Sequence, residues 1–461
     1  MRPSNVLVCV VSVGQFFTAS LIAQSARRSI LRPGEAGRAI IDGITARQVI
    51  DSRGNPTVEA DVHAGLFVGR ASVPSGASKG RLEAAELRDG RPDSYHGMGV
   101  GQAVQNIRTI LLPKLRGVDV TKQNAIDELM IVLDGTPNKG RIGANAILAV
   151  SMAAARASAA SKGVHLFESI RPRKRYSLPV PMMNVINGGE HAGNELDVQE
   201  FVIEPVGAKT CTDAIRMGSE VYHSLKLILR KKYGELATNV GDEGGFAPPI
   251  RVTRDALRAL SQAVANAGYD EGDVRMGIDA AASTFFNEGR SVYGIDGREL
   301  SEAKLEDFYV RLVDEFGLLT IEDPFQEDAF EAFAGLTRRL GRKVKVIGDD
   351  IYVTNIERIR MGMKKGATNA VLIKLNQIGT LTETEGAIKE SDRGGLVVVV
   401  SHRSGETDDP FIAHLATAFS SSFIKAGAPA RGERTAKYNE LIRIEEELGS
   451  RASYTGMKAA G

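Results

Sequence analysis

Residues 343–349 read KVKVIGD and residues 370–374 read AVLIK; each is a short apolar run that ends abruptly in a charged side chain. The same pattern recurs at residues 274–279 (VRMGID), 318–322 (LLTIE) and 396–402 (LVVVVSH). Such runs, apolar on both faces, are typical of parallel strands buried under helices. Most of the steps from one run to the next have the length of one strand and one helix. The pattern therefore predicts an α/β fold, with a β/α barrel over residues 179–461.

The charged residues at the ends of these runs are candidate site residues. In a β/α barrel the carboxyl ends of the strands meet at one mouth. The residues that would meet there are Asp279, Glu322, Asp349, Lys374 and His402. An open doubly wound sheet is the competing architecture. It is less favoured because no glycine-rich dinucleotide loop follows a strand.

The chemistry of these side chains favours a magnesium enzyme. Three carboxylates supply the hard oxygen ligands that Mg²⁺ prefers, whereas no His or Cys pair has the spacing of a zinc site. A lysine beside a divalent cation can act as a general base, and the loop His402-Arg403-Ser404 suits a phosphate or a carboxylate. Singly, each residue is more often structural, for example an Asp that caps a helix. Together they indicate removal of a proton next to a carboxylate.

The part of the chain before the barrel has a different pattern. Residues 39–74 contain short β-rich runs separated by the turn sequence DSRGNP at 51–56, which predicts an antiparallel meander. Helical patterns follow at Arg81–Arg88, Val100–Leu115, Lys122–Asp134 and Ile142–Ser161. We therefore expect an α+β domain over residues 38–172, ahead of the barrel at 179–461.

The first residues differ from the rest. Residues 1–36 combine an apolar run from Val6 to Ile22 with arginines, including Arg27 and Arg28, which is typical of a removable leader for organelle import or secretion. A wrongly chosen start codon is the alternative. The body shows no sequence suited to a stable membrane span. The net charge of +1 argues against a nucleic-acid partner, and two cysteines exclude a disulfide scaffold.

Longer phrases along the body resemble the enolase family, and in particular its bacterial-type sequences. They include residues 51–60 (DSRGNPTVEA), 73–80 (VPSGASKG), 181–194 (PMMNVINGGEHAGN), 239–248 (NVGDEGGFAP), 321–325 (IEDPF), 372–384 (LIKLNQIGTLTET), 400–407 (VSHRSGET) and 424–431 (IKAGAPAR). They occur in the family's order over roughly residues 40–450.

The resemblance implies a fold and an activity. The fold is an N-terminal α+β capping domain followed by an atypical eight-stranded barrel in which one early strand runs antiparallel. The activity is that of a phosphopyruvate hydratase, a hydro-lyase interconverting 2-phospho-D-glycerate and phosphoenolpyruvate plus water in glycolysis and gluconeogenesis. The resemblance also implies two Mg²⁺ per site, the second arriving with substrate, a homodimer or higher homo-oligomer, and a cytoplasmic location.

The resemblance also implies roles for individual residues. As catalytic groups it implies Lys374, the base for the C2 proton, and Glu243, the acid for the C3 hydroxyl. As metal ligands it implies Asp279, Glu322, Asp349 and, for the second ion, Ser78. As substrate-binding residues it implies His191, Gln199, Glu200, His402, Arg403, Ser404 and Lys425.

The resemblance leads to one further expectation and leaves two questions open. Glu243 should have a raised pKa, because an acid must hold its proton until the hydroxyl leaves. Two departures from the family pattern, Lys79 in the SGASKG loop and Thr284 after the first predicted ligand, leave their effects on activity open. Two rival functions remain: a catalytically impaired paralogue used as a binding protein, and a related dehydratase acting on another carboxylate, such as an acid sugar.

Overall fold

The computed structural model describes residues 39–76 and 80–459, so the predicted leader at 1–36 lies outside the described residues, as do Ser78 and Lys79. The described part contains a small N-terminal sheet with helices, followed by a closed barrel of eight strands. This is the predicted α/β architecture, and the closed barrel excludes the open sheet. No helix among the described residues combines the length and the apolar character needed to cross a membrane.

The N-terminal sheet is the predicted antiparallel meander. Its strands are β1 (Gly43–Ile50), β2 (Pro56–Ala64) and β3 (Phe67–Ser72), and β2 pairs antiparallel with both neighbours. In the turn between β1 and β2, Asp51 Oδ1 accepts hydrogen bonds from the backbone N–H groups of Arg53 and Asn55, each at 2.9 Å. A short acidic side chain that bonds the backbone ahead of it fixes such a turn.

Helices cover one face of this sheet. They are α1 (Gly101–Asn106), which continues through a π-helical turn (Ile107–Leu111) into α2 (Leu112–Leu115), then α3 (Gln123–Asp134), α4 (Ala144–Lys162) and α5 (Leu166–Ile170). The alanine-rich α4 is buried along most of its length and packs on β2 and β3. At Gly69 in β3, a Cβ atom would lie 2.0 Å from the Ala153 carbonyl of α4, so only glycine permits this close approach.

The predicted helix at Arg81–Arg88 is wrong. This segment is irregular, and its backbone bonds to other parts of the chain. The Ala84 N–H donates to the Gln377 carbonyl at 2.8 Å, and the Ala85 N–H donates to the Asn138 carbonyl at 2.7 Å. Because these tertiary bonds replace the intrahelical ones, the segment becomes a strap between the N-terminal elements and the barrel.

The barrel strands are β5 (Val180–Asn187), β6 (Glu200–Glu204), β7 (Arg275–Asp279), β11 (Thr320–Glu322), β12 (Lys345–Gly348), β13 (Ala370–Ile373), β14 (Val397–Ser401) and β15 (Phe423–Lys425). They follow one another around the ring in the order β11-β12-β13-β14-β15-β5-β6-β7. Strand β6 runs antiparallel to both neighbours, as the family resemblance implied, and the other pairs are parallel.

Helices and short strands surround the barrel. The helices are α6 (Cys211–Tyr233), α7 (Thr253–Asn266), α8 (Glu302–Phe316), α9 (Phe330–Leu340), α10 (Ile356–Lys365), α11 (Leu375–Ile378), α12 (Leu381–Arg393), α13 (Phe411–Phe419) and α14 (Gly432–Leu448). The remaining strands are β4 (Tyr176–Leu178), which pairs with β16 (Ala452–Tyr454), and the small sheet β8 (Phe286–Asn287), β9 (Val292–Ile295) and β10 (Arg298–Leu300).

Alternation along the strands separates the barrel core from the barrel mouth. A buried apolar layer that includes Ile347, Leu372 and Val399 fills the interior. Side chains two residues further along a strand point to the same side. Residues such as Asp349 and Lys374 therefore project inward at the mouth, one layer above this core.

The reversed strand changes the path of the chain. Because β6 starts at the mouth and ends at the far side, α6 leads back to the mouth and α7 leads away again before β7 begins. The loop between these two helices, residues 234–252, therefore crosses the mouth, and it carries Glu243.

Candidate active site

The barrel mouth gathers almost all of the predicted site residues around one polar cavity. The cavity is lined by His191, Gln199, Glu200, Glu243, Asp279, Asp349, Lys374, His402, Arg403, Ser404 and Lys425, together with Ala281, Asp323, Asp350 and Ser401. Glu322 lies just beneath and is 1% exposed. Ser78 lies outside the described residues. Side chains from positions 191 to 425 thus meet although the sequence separates them widely.

Three predicted metal ligands stand on three adjacent strands, β7, β11 and β12. Asp279 and Glu322 are paired in register, and Asp349 directly follows β12. The Lys425 ammonium lies between the first two, 2.9 Å from Asp279 Oδ2 and 2.9 Å from both Glu322 oxygens. Burial, followed by the neighbouring Asp279, raises the pKa of Glu322 well above its usual range.

A second group of carboxylates lies beside Asp349. Among the residues that the structure describes, Asp323, Asp349 and Asp350 bring ligand oxygens within 4.8 Å of one another, whereas Asp279, Glu322 and Asp349 do not form such a group. The sequence analysis did not single out Asp323 and Asp350. Each directly follows a predicted ligand, in the phrases IEDPF and GDD, and this adjacency could have revealed them.

Lys374 lies directly after β13 and is partly buried. Its Nζ contacts Asp349 Oδ2, and Gln377 Nε2 donates to the other oxygen of Asp349 at 2.9 Å. Burial by itself would lower the pKa of Lys374, but the carboxylates of Asp349, Asp350 and Glu322 together outweigh burial and raise it. A cation on Asp349 would cancel that attraction, because the carboxylate would then carry less net charge toward the lysine.

Two glutamates and two histidines form the opposite side of the cavity. His191 Nδ1 lies 3.5 Å from Glu200 Oε1 and 3.7 Å from Glu243 Oε1. On the other side of Glu243, Asn184 Nδ2 donates to Oε2 at 3.0 Å and His402 Nε2 faces the same oxygen at 3.3 Å. The two carboxylates therefore share one buried pocket, in which His191 faces both of them and Asn184 donates a hydrogen bond to Glu243.

The pKa directions in this pocket differ from expectation. Burial would raise the pKa of Glu243, but His402 and His191 outweigh burial and hold it well below its usual range. Burial, with the Glu243 charge, raises the pKa of Glu200 well above its usual range. The expected raised pKa of Glu243 is thus wrong: of the two carboxyl groups, Glu200 is the one whose pKa is raised.

Arg403 is buried and held by a carboxylate from the N-terminal part of the chain. Its Nη1 donates to Glu83 Oε2 at 2.9 Å and to Asn376 Oδ1 at 2.9 Å, and its Nη2 donates to Glu83 Oε1 at 3.1 Å. Sequence reasoning missed Glu83, because only the strap at residues 81–88 brings it to the barrel mouth. Such a fork-to-fork pair fixes both the position and the plane of the guanidinium.

Gln199 and the loop before it complete the mouth. The Gln199 N–H donates to the Asp279 carbonyl at 3.1 Å, which places Gln199 immediately before β6. In this loop a Cβ on Gly188 would lie 2.4 Å from the Val198 carbonyl. Thr284, the second departure from the family pattern, is exposed and donates to the Ala281 carbonyl at 2.8 Å.

Comparison with known proteins matches both parts of the chain to one family. The sequence model described as "Enolase, C-terminal TIM barrel domain" covers residues 175–461, and "Enolase, N-terminal domain" covers residues 41–170. Similar relatives, each named "Enolase", come from Methanocaldococcus jannaschii (55% identity over 89% of this chain and 96% of the relative) and Thermococcus kodakarensis (53% over 91% and 97%).

A third such relative comes from Methanococcoides burtonii, at 52% identity over 91% of this chain and 98% of the relative. These relatives are archaeal, which differs from the expected bacterial-type affinity. Both family matches and these nearly full-length identities agree with the fold and with the residues at the mouth. The chain therefore belongs to the enolase family.

Proposed function

We propose that this chain is a phosphopyruvate hydratase that interconverts 2-phospho-D-glycerate and phosphoenolpyruvate plus water. One observation carries this proposal. Lys374 follows β13, and Glu200 begins β6, which lies diametrically opposite β13 in the ring of eight strands. A lysine and a pair of buried carboxyl groups, one with a raised pKa, therefore face each other across the cavity, as removal of a proton and of a hydroxyl from neighbouring carbons requires.

Lys374 takes the base role. A proton next to a carboxylate is very weakly acidic, so the base must be held against C2 in a dry site. Lys374 is partly buried, and Asp349 contacts its Nζ from one side. The neighbouring carboxylates, Asp349 first among them, raise its pKa, so deprotonation depends on neutralising Asp349.

The chemistry of the donor set at the mouth fits Mg²⁺, although the ligand oxygens of Asp279, Glu322 and Asp349 do not all lie within 4.8 Å of one another. Asp279, Glu322 and Asp349 are buried and offer only carboxylate oxygens, and Lys425 and Lys374 now balance their charge. A bound Mg²⁺ would supply Lewis-acid stabilisation of the negative charge that develops on the substrate carboxylate. We propose Asp279, Glu322 and Asp349 as ligands of the first ion and Ser78 as a ligand of a second ion that arrives with substrate.

The acid side consists of Glu243 and Glu200. Hydroxide is a poor leaving group, so it must depart as water and needs a proton on the face opposite Lys374. Of this pair, Glu200 is the carboxyl group with the raised pKa, and His191 Nδ1 lies 3.5 Å from Glu200 Oε1 and 3.7 Å from Glu243 Oε1. We propose Glu243 as the group that delivers the proton to the C3 hydroxyl, with His191, Gln199 and Glu200 around the leaving group.

The remaining charges suit the two ends of the substrate. Arg403 and Ser404 follow β14 and would hold the phosphate, with His402 beside them. Lys425 ends β15 and would face the carboxylate. An arginine held in plane by Glu83 suits a tetrahedral phosphate better than the hydroxyl groups of an acid sugar, and this favours the phosphorylated substrate.

A turnover assay with separated half-reactions tests this function. Purified protein with Mg²⁺ should convert 2-phosphoglycerate to phosphoenolpyruvate, measured by its ultraviolet absorbance. Lys374→Ala should abolish exchange of the C2 proton with solvent, whereas Glu243→Gln should retain exchange and lose dehydration. Lys389→Ala, which changes an exposed lysine paired with Glu385, serves as the matched control.

The alternatives give different outcomes in the same assay. Turnover of sugar acids without 2-phosphoglycerate would indicate a related dehydratase, and no turnover of either would indicate a binding protein. C2-proton exchange in Lys374→Ala would contradict the assigned base.

We also propose domain boundaries, a cellular location and an oligomeric state for this chain. The two family matches support domain boundaries at 38–172 and 179–461. Family membership supports a cytoplasmic enzyme that acts as a homodimer or higher homo-oligomer. Import or secretion directed by residues 1–36 stays a prediction, since those residues lie outside the described part of the chain.

A further inference from the structure

Arg434 is a fully buried arginine beneath the barrel mouth to which the proposed mechanism gives no role. It lies in the first turn of α14 and is 0% exposed. Its Nη1 donates to the Arg403 carbonyl at 2.6 Å, and its Nη2 donates to the carbonyls of Asp242 at 3.0 Å and Ser404 at 2.6 Å. One guanidinium thus ties the phosphate loop after β14 to the loop that carries Glu243.

Arg434 also contacts a ring nitrogen of His402. Its Nη1 lies 2.7 Å from His402 Nδ1, a hydrogen-bond distance. A guanidinium has only donors and stays charged at any pH that a folded protein tolerates. His402 Nδ1 must therefore be the acceptor, with a bare lone pair.

This contact decides where the imidazole keeps its proton. A neutral imidazole carries one proton, so a bare Nδ1 leaves that proton on Nε2. Burial, with the charge of Arg434 among the further causes, lowers the pKa of His402 to about 3, which agrees with a neutral ring. His402 Nε2 lies 3.3 Å from Glu243 Oε2, so the nitrogen that carries the proton is the one next to the proposed acid.

We infer that Arg434 is a positioning residue that fixes the tautomer of His402, so that an N–H and not a lone pair faces Glu243. The N–H stabilises the Glu243 carboxylate that remains after the proton has gone to the leaving hydroxyl. The other tautomer would turn a lone pair toward that oxygen and oppose the same step. The consequence for catalysis rests on the proposed function of Glu243, whereas the tautomer itself does not.

The tautomer can be read directly by NMR. In protein labelled with ¹⁵N-histidine, long-range ¹H–¹⁵N correlation separates protonated from bare ring nitrogens. The chain has seven histidines, and the signals missing in a His402→Asn variant identify His402. We expect a bare Nδ1 and a protonated Nε2; a protonated Nδ1 in the wild type would overturn the inference.

Three variants distinguish Arg434 from Glu243 as the cause of the tautomer. In Glu243→Gln, with Arg434 intact, Nδ1 should stay bare. In Arg434→Met, Nδ1 should gain proton character, and in Arg434→Lys, which restores a donor, it should be bare again. Nδ1 protonated in Glu243→Gln, or still bare in Arg434→Met, would refute the inference. The Glu243→Gln arm leaves Arg434 in place, so the test stands even if Arg434→Met does not fold.

Kinetics adds a readout that a purely structural role would not produce. In Arg434→Met, which removes the donor to Nδ1, we expect C2-proton exchange at Lys374 near the wild-type rate and dehydration slowed by about 10²-fold; Arg434→Lys, which restores the donor, should recover most of the dehydration rate. An equal loss of both would assign Arg434 to general folding. Arg443→Lys, on the exposed face of the same helix, is the matched control. If the wild type did not turn over 2-phosphoglycerate, the proposed function would fail while the NMR result would still test the tautomer.

Discussion

A buried glutamate deep in the barrel should make the stability of this protein depend on pH. Glu204 ends β6, two residues below the core residue Val202, and is 0% exposed. Thr320 Oγ1 donates to its Oε1 at 2.6 Å, while its Oε2 has no hydrogen-bond partner among the described residues. Burial, only partly offset by the Thr320 bond and by Arg275, raises the pKa of Glu204 from 4.5 to about 7.

The magnitude follows from this pKa. Because the folded state holds the proton more tightly than the unfolded chain, the free energy of unfolding falls as the pH rises from 4.5 to about 7, then levels off. Each tenfold change in proton affinity corresponds to about 1.4 kcal/mol, so ionised Glu204 costs about 3 kcal/mol. Glu204→Gln keeps an acceptor for Thr320 and is neutral at every pH. We expect it to match the wild type near pH 4 and to be about 3 kcal/mol more stable near pH 8.

Urea unfolding at a series of pH values measures this difference. The chain has no tryptophan, so far-ultraviolet circular dichroism is the suitable signal. Glu288→Gln, at an exposed glutamate, controls for the loss of one negative charge. If the stabilities of Glu204→Gln and the wild type run parallel from pH 4 to pH 8, the argument about the buried carboxylate is wrong.

Three further perturbations test the site. Glu83→Ala should raise KM for 2-phosphoglycerate about 10- to 100-fold with a smaller change in kcat, because Arg403 loses its charged partner; an unchanged KM would contradict this. Mg²⁺ at about 100 times its Kd should stabilise the protein by about 3 kcal/mol, and Asp349→Asn should reduce that gain; an equal gain in the variant would exclude Asp349 as a ligand. Gly188→Ala should lose most activity, because its Cβ would lie 2.4 Å from the Val198 carbonyl oxygen. Gly193→Ala, whose Cβ would have no atom within 4 Å, should keep its activity. Equal steady-state rates for the two variants would show that the loop adjusts to the added Cβ and would refute the prediction.

The strand ends could be predicted from the sequence because two local signals coincide there. An apolar run that stops at a charged residue marks both the end of a buried strand and a side chain that points into the mouth. Asp279 and Glu322 end their strands as expected, and Asp349, Lys374 and His402 come one residue later. The order of the strands and these five residues at the mouth can thus be predicted from the hydrophobic pattern of the sequence.

Other features depend on contacts that no local pattern encodes. The direction of β6 is invisible in its five residues, because EFVIE would suit either direction. Glu83 reaches Arg403 across most of the chain, through a strap whose sequence looks helical. The lowered pKa of Glu243 depends on His402 and His191, which only the tertiary structure brings to either side of it.

The single inverted strand has a consequence for how new chemistry can arise on such a scaffold. In a regular barrel every loop over the pocket directly continues a barrel strand, so a change in the loop also displaces the end of that strand. Here the inversion places the 234–252 crossover between two outer helices, and Phe246 within it pairs with Ile186 of β5, so Glu243 comes from a segment that does not extend a barrel strand. Substitutions and length changes in that crossover would alter proton transfer to the leaving group, while the strands β7, β11 and β12, which carry the proposed metal ligands, keep their positions.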